Sequence, residues 1–203
     1  MGARGLFRRF HSSGECVGGA IKILSREEFP TAGLSWRQVL DEFESRIEKL
    51  SNPQLSTANC QLTALTSIGI SCGGPLDSKR GVVMSPPNPP GWDNVPVVRF
   101  FRDRFGVPAA LQNDANACAL AEYLYGSGRG VKNLVFMTFG TGLGAGIIID
   151  GKLYSGANDN AGEIGHIRLA PTVTNRMRGV ASAVIEGGGK RFVTVGASQR
   201  NSA

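Results

Sequence analysis

No stretch of this chain approaches the ~18 consecutive apolar residues that a membrane-spanning helix needs. The arginines near its start are followed by no apolar run and no small-residue cleavage site, so a secretory signal is not expected. Histidine is scarce, two in 203 residues, and aromatic residues make up 7% of the chain. The four cysteines, Cys16, Cys60, Cys72 and Cys118, form no Cys-x-x-Cys pair and no metal spacing, which argues against a disulfide framework or a zinc finger. Cys72 ends an apolar run and Cys118 falls in a helical pattern, so both read as small buried hydrophobes in a reducing compartment. A cytoplasmic location is therefore expected. No internal repeat occurs at solenoid periods. What remains is the composition of an ordinary globular protein, 41% hydrophobic and 19% charged, long enough for one large domain or two small ones.

The net charge of +6 hints at nucleic acid until it is located. Residues 1–14 carry +3, through Arg4, Arg8 and Arg9, and residues 170–203 carry +4, whereas residues 15–169 sum to −1. The basicity belongs to the two ends, which read as solvated tails rather than as a nucleic-acid surface.

Strand and helix signals alternate through the middle. Ala20 to Phe29 fits a strand or its end. Ser35 then stands as the cap of a helix on which Trp36, Val39, Leu40, Phe43, Ile47 and Leu50 recur at spacings of three and four. Leu62 to Cys72 reads as a buried strand bounded by Gly73-Gly74-Pro75, and Val82 to Met84 as a short strand stopped by prolines. Val95 to Phe105 is a helix with Pro96 in its first turn, Val107 to Leu111 a strand, and Ala115 to Tyr125 a helix closed by Gly126. Leu134 to Phe139 and Ala145 to Ile149 are strands joined by a glycine-rich turn, and Asp150-Gly151 is a two-residue hairpin signal into Lys152-Leu153-Tyr154. The pattern predicts an α/β fold with a mixed sheet. The first twenty residues read as irregular, and residues 172–203 as a basic tail of low pattern, both ends poorly packed.

Three segments carry candidate chemistry. Asp114 follows Asn113 where a strand ends and a helix begins, a position where ligands collect in α/β folds. Its carboxylate is either a helix N-cap or a base that accepts a hydroxyl proton. Gly140-Thr141-Gly142-Leu143-Gly144 is either a tight hairpin or a phosphate-holding turn of bare backbone with one hydroxyl. It is not a Walker loop, because no lysine follows, nor a dinucleotide fingerprint, because a strand comes next. Glu163 and His166, at i and i+3, are either a structural pair or an acceptor and a donor for neighbouring sugar hydroxyls. Upstream, Gly74 permits close approach of a ligand to backbone. Asn88, in Ser85-Pro86-Pro87-Asn88-Pro89-Pro90-Gly91-Trp92, offers both hydrogen-bond polarities or merely sits in a stiff loop.

Taken in this order and spacing, Asn113-Asp114-Ala115-Asn116, Thr138 to Gly146 and Gly162-Glu163-Ile164-Gly165-His166 resemble the ROK family of sugar kinases and sugar-responsive repressors. The resemblance runs from about Ile21 to Pro171. It implies an actin-like ATPase (ribonuclease-H-like) fold of two lobes, 21–112 and 113–171, with the boundary near Gln112. It further implies ATP-dependent phosphorylation of glucose or a related hexose, with ATP and Mg2+ as cofactors and Asp114 as the catalytic base. Gly74, Asn88, Asn113, Asp114, Glu163 and His166 would hold the sugar, and Gly140, Thr141, Gly142 and Gly144 the terminal phosphates. His166 matches the first ligand of the family's structural zinc site, but no cysteine follows Cys118, so no zinc site is expected. The repressors carry an N-terminal helix-turn-helix. The first thirty residues show no such helical pair, so no nucleic-acid partner is expected, and a homodimer is left open.

The resemblance breaks at both ends. The family opens with Asp-x-Gly-Gly-Thr, which orders Mg-ATP, whereas Gly14-Glu15-Cys16-Val17-Gly18-Gly19-Ala20 has neither the aspartate nor the hydroxyl. After Pro171, Ser182 falls where a further sugar-contacting glutamate belongs, with Glu186 nearby, and the adenosine segment is not recognisable. A truncated gene model and a degenerate relative both fit, and a non-catalytic sugar sensor is the alternative function. Because phosphoryl transfer rests on positioning and charge neutralisation, weak or absent kinase activity is expected of these 203 residues alone.

Overall fold

The computed structural model describes residues 6–8, 27–51, 65–85, 91–139, 143–166 and 191–196. The chain divides into two compact units, Met1–Gln112 and Asn113–Ala203.

In the first unit, strand β1 (Leu6–Arg8) pairs antiparallel with β2 (Glu28–Pro30). The start of the chain is therefore not wholly irregular, as its sequence suggests. Helix α1 (Trp36–Ser51) forms where the apolar stripe predicts it. Ser35 starts it as a capping box: its Oγ accepts from the Gln38 N–H at 3.3 Å while its own N–H donates to Gln38 Oε1 at 2.9 Å. Val39, Leu40 and Ile47 turn inward and bury almost completely. They join Phe29, Val95, Val97, Phe101 and Leu111 in one core, and Phe43 meets the Phe29 ring edge-on at 4.8 Å.

Strand β3 (Ile68–Cys72) is shorter than the apolar run from Leu62 suggests, because residues 65–67 form no element. Strands β4 (Leu76–Asp77) and β5 (Val82–Val83) make a small hairpin, and β5 is bridged to Val95. Helix α2 (Val97–Phe105) begins two residues later than its pattern, with Pro96 as the N-cap rather than inside the first turn, and stops at Gly106 in the left-handed conformation. Strand β6 (Ala109–Asn113) pairs with β3.

The second unit is built on helix α3 (Asp114–Tyr125) and an antiparallel sheet of order β10-β7-β8-β9. Strands β7 (Leu134–Phe139) and β8 (Leu143–Ile149) pair over six positions, from Leu134↔Ile148 to Phe139↔Leu143. Alternation puts Leu134, Phe136 and Ile148 on one face, where they bury with Ala119 of α3. Asp150 and Gly151, with φ of 49° and 77°, form the two-residue turn into β9 (Lys152–Leu153); two positive φ values suit the right-handed twist of a hairpin.

The tail corrects the sequence expectation. Arg191–Gly196 is strand β10, and it pairs antiparallel along the whole of β7, from Arg191↔Phe139 to Gly196↔Leu134. The aromatic and β-branched run Phe192, Val193, Thr194, Val195 suits a strand, and an apolar β7 without a second neighbour would leave an open edge. Among the described residues no helix is long and apolar enough to cross a membrane.

Candidate active site

Strand β6 runs into α3 without an intervening loop, so Asn113 and Asp114 stand at a strand-to-helix corner. The helix is capped by Asn113: its Oδ1 accepts from the N–H of Ala115 at 2.9 Å and of Asn116 at 3.4 Å. The capping role open to Asp114 on its sequence thus goes to its neighbour, and Asp114 is the first helical residue. Its carboxylate is solvent-exposed and Oδ1 takes the Ala115 N–H at 2.9 Å, while Oδ2 has no hydrogen bond among the described residues. One turn further along the helix lies the half-buried Cys118. Burial raises its thiol pKa above the ordinary value, and the charges of Asp114 and Glu122 push it the same way. Asn116, beside Asp114, is the one fully buried polar residue described, at 1% exposure.

The helix start rests on β8. A Cβ placed on Gly144 would lie 3.7 Å from the Cβ of Ala115, in ordinary contact. A Cβ placed on Gly146 would be only 2.5 Å from the Cβ of Ala119 and closer still to the Ala115 carbonyl oxygen. Glycine on the helix-facing side of this strand therefore lets the first turn of α3 sit directly on sheet backbone.

The other edge of β8 is followed by the chain after β9. The Tyr154 N–H donates to the Ile147 carbonyl at 2.8 Å, and the Ala145 N–H donates to the Gly162 carbonyl at 2.7 Å. Gly162 has φ +92°, and a Cβ there would overlap the Ala145 carbonyl oxygen. The backbone then closes a 3-10 turn, Ile164–His166, so Glu163 and His166 face each other, Nδ1 to Oε2 at 3.5 Å. With 49% and 86% of these side chains exposed, the pair is a solvent-facing couple and holds no core together.

The structure thus brings Asn113, Asp114, Gly144, Glu163 and His166 to one end of β8. Gly74 lies in the first unit, half-buried after β3. Asn88, Gly140, Thr141 and Gly142 lie outside the described residues. Among the described residues no three His, Cys, Asp or Glu side chains gather as a metal site. The sequence reading left out Gly146 and Gly162 as positions that matter to the site. Glycines alternating as i, i+2 along a strand beside a helix are the signal that marks the first of them.

The ROK family pattern matches residues 15–180. A glucokinase from Thermotoga maritima is 39% identical over 104 residues, covering 51% of this chain and 33% of its own length. A xylose repressor from Caldicellulosiruptor bescii is 42% identical over 105 residues, covering 52% of this chain and 26% of its own. The crystal structure of a ROK family glucokinase from Streptomyces griseus in complex with glucose and AMPPNP superimposes with a TM-score of 0.60 at 32% identity, covering 76% of this chain and 49% of that one. The chain spans about a third of the length of the curated relatives it matches and about half that of the solved structure. Since the match takes in both the Asn113–Asp114 corner and the Gly162–His166 turn, this chain belongs to the ROK family, whose kinases have the actin-like ATPase fold.

Proposed function

We propose that this chain is part of an ATP-dependent sugar kinase that phosphorylates glucose or a related hexose, with Asp114 as the general base. The observation that carries the reading is the division of labour at the α3 start. Asn113 caps the helix, which leaves the exposed carboxylate of Asp114 with an oxygen, Oδ2, for a sugar hydroxyl. In the reaction the hydroxyl oxygen forms a bond to the γ-phosphorus, the bond from that phosphorus to the ADP oxygen breaks, and the hydroxyl proton passes to the Asp114 carboxylate.

Glu163 accepts from sugar hydroxyls and His166 donates or accepts beside it, which matches adjacent ring hydroxyls. Asn113 contributes through its amide nitrogen, since its oxygen serves the cap. The resemblance to the family also assigns Gly74 and Asn88 to the sugar. The donor set fits a phosphate: bare backbone at Gly140, Gly142 and Gly144 and a hydroxyl at Thr141, on a connection whose Gly144 end lies against Ala115, next to the base. Mg2+ carried with ATP would supply neutralisation of the phosphate charge.

The 42% identity with a xylose repressor supports a second reading, a regulator that binds sugar without transferring phosphate. Titration calorimetry with glucose tests the shared part, and coupled ADP release separates the two. Hexose binding is expected in both cases. The ADP-release assay uses a version extended to the length of the kinase relatives, in which the kinase reading expects Asp114→Asn to lower phosphoryl transfer by about 10²–10⁴-fold, the usual worth of a general base. Hexose binding with no ADP release from that extended wild type favours the regulator, and no hexose binding refutes both.

A further inference from the structure

Ala145 and Gly146 are consecutive residues of β8, and each is tied to a different half of the candidate site. Ala145 donates its N–H to the Gly162 carbonyl at 2.7 Å and so hangs the Glu163–His166 turn on the strand edge. Gly146 carries no side chain on the face toward α3, and the Ala115 carbonyl of the helix's first turn fills the space a Cβ would take. Ala115 is also the residue whose N–H is held by both Asn113 and Asp114.

We propose that Gly146 is a positioning residue: together with Ala145 it makes β8 the gauge that fixes how far the Asn113–Asp114 pair stands from the Glu163–His166 pair. The proposal rests on the sugar-site reading above and adds to it which backbone contacts set the geometry. A methyl group at 146 would start 2.5 Å from Ala119 Cβ, whereas real Cβ atoms essentially never approach within 3.0 Å. The helix must therefore lift by about 0.5 Å or more, and the tighter approach to the Ala115 carbonyl asks for more still. Ala115 and Ala119 lie in the first half of α3, so the lift is felt at Asp114 while the Gly162–His166 turn stays on the opposite edge of the strand. A displacement near 1 Å at a reacting group costs on the order of 100-fold in rate, and a hexose clamped from both sides would bind more weakly.

Gly144 gives an internal contrast on the same face. A Cβ there meets Thr138 Cγ2 at 3.4 Å and Ala115 Cβ at 3.7 Å, ordinary contacts. The tight fit is thus specific to position 146 and is not a general feature of the strand face.

The test compares Gly146→Ala, Gly162→Ala and Ile148→Val, the last a core change further along the same strand, in the 203-residue chain. Amide NMR of the sugar-free protein reads placement, and glucose calorimetry reads consequence. Gly146→Ala is expected to move the signals of Asn113 to Asn116 and leave those of Glu163 to His166 in place; Gly162→Ala is expected to do the reverse. Both are expected to weaken glucose binding about tenfold or more, with Ile148→Val changing it less than twofold. If Gly146→Ala fails to fold, the reverse cavity variant Ala119→Gly, which loosens the same contact, is expected to shift the same four amides. Shifts spread evenly over the second unit, or confined to β8, overturn the proposal. If wild type binds no hexose, the sugar-site reading fails, while the amide pattern still decides whether β8 sets the spacing.

Discussion

If Asn113 holds sugar as well as capping α3, fold and function make competing demands on it, and substitutions there separate them. Its side-chain oxygen takes two of the orphan N–H groups at the α3 start, from Ala115 at 2.9 Å and Asn116 at 3.4 Å. Removing such a cap costs about 0.5–2 kcal/mol, typically ~1. For a unit of roughly 90 residues each kcal/mol corresponds to about 4–8 °C in melting temperature. Asn113→Ala is therefore expected to lower the melting transition of the second unit by several degrees. Asn113→Ser keeps an oxygen at the capping distance and should leave that transition within about 1–2 °C of wild type, since serine caps as well as asparagine does. Neither variant has an amide nitrogen to donate to a sugar. A lost neutral hydrogen bond is worth roughly 0.5–1.5 kcal/mol, so both should weaken glucose binding by about two- to tenfold. Melting followed by circular dichroism and titration calorimetry on the same samples give the two readouts. If serine is as destabilising as alanine, the cap is not what Asn113 contributes to the fold. If Asn113→Ser binds glucose like wild type, Asn113 is no sugar ligand and the site must be redrawn around Asp114 and the Glu163–His166 turn.

Two further outcomes are expected. Cys118 has its thiol pKa raised, first by burial and then by Asp114 and Glu122. The folded state holds that proton more tightly than the unfolded one, so this contribution to stability is full below the ordinary value of 9.0 and is lost as pH rises through the folded value. Between about pH 8 and pH 10, wild type should lose more stability than Cys118→Ala, and parallel losses would refute this. In the first unit, Arg46 bridges Glu27 at 2.8 Å and Glu42 at 2.7 Å and lies 4.9 Å from the centre of the Phe29 ring, tying β2 to α1. Arg46→Met should cost that unit about 1–2 kcal/mol in urea unfolding, and Arg46→Lys should recover less than half of it, because lysine has no planar fork to span two carboxylates and stack on a ring. Full recovery by lysine would mean that charge alone accounts for the contact.

How much of this was legible in the sequence depends on whether the deciding contact is local. Helix α1 announces itself through a stripe of six apolar residues behind the cap residue Ser35. The β8–β9 turn is written in Asp150-Gly151, which supplies the two positive φ values a tight hairpin needs. At the α3 start two cap-competent residues are adjacent, and local pattern cannot say which one caps. The choice falls to Asn113 through the β6 chain path that enters the helix directly. Strand β10 was missed for a different reason. Phe192 to Val195 is a short run between a triple glycine and a polar end, too brief to outweigh its surroundings. What selects it is the open edge of β7, a tertiary feature that no window of sequence contains.

The same distinction explains why candidate site residues can be named from the sequence and their support cannot. Asp114, Glu163 and His166 have side chains whose chemistry suggests a task, so pattern and resemblance single them out. Gly146 and Gly162 act by what they lack. One leaves room for the Ala115 carbonyl and the other tolerates φ +92° beside the Ala145 carbonyl, and either requirement appears only when two backbones approach. A glycine that adopts ordinary strand dihedrals, as Gly146 does in β8, gives no local reason for its presence. The reason lies across the interface, in a helix that must come close enough for its first turn to share one end of a strand with the loop that faces it. A site assembled in this way is expected to answer to a single methyl group added at either glycine, on the strand or on the turn hung from its edge.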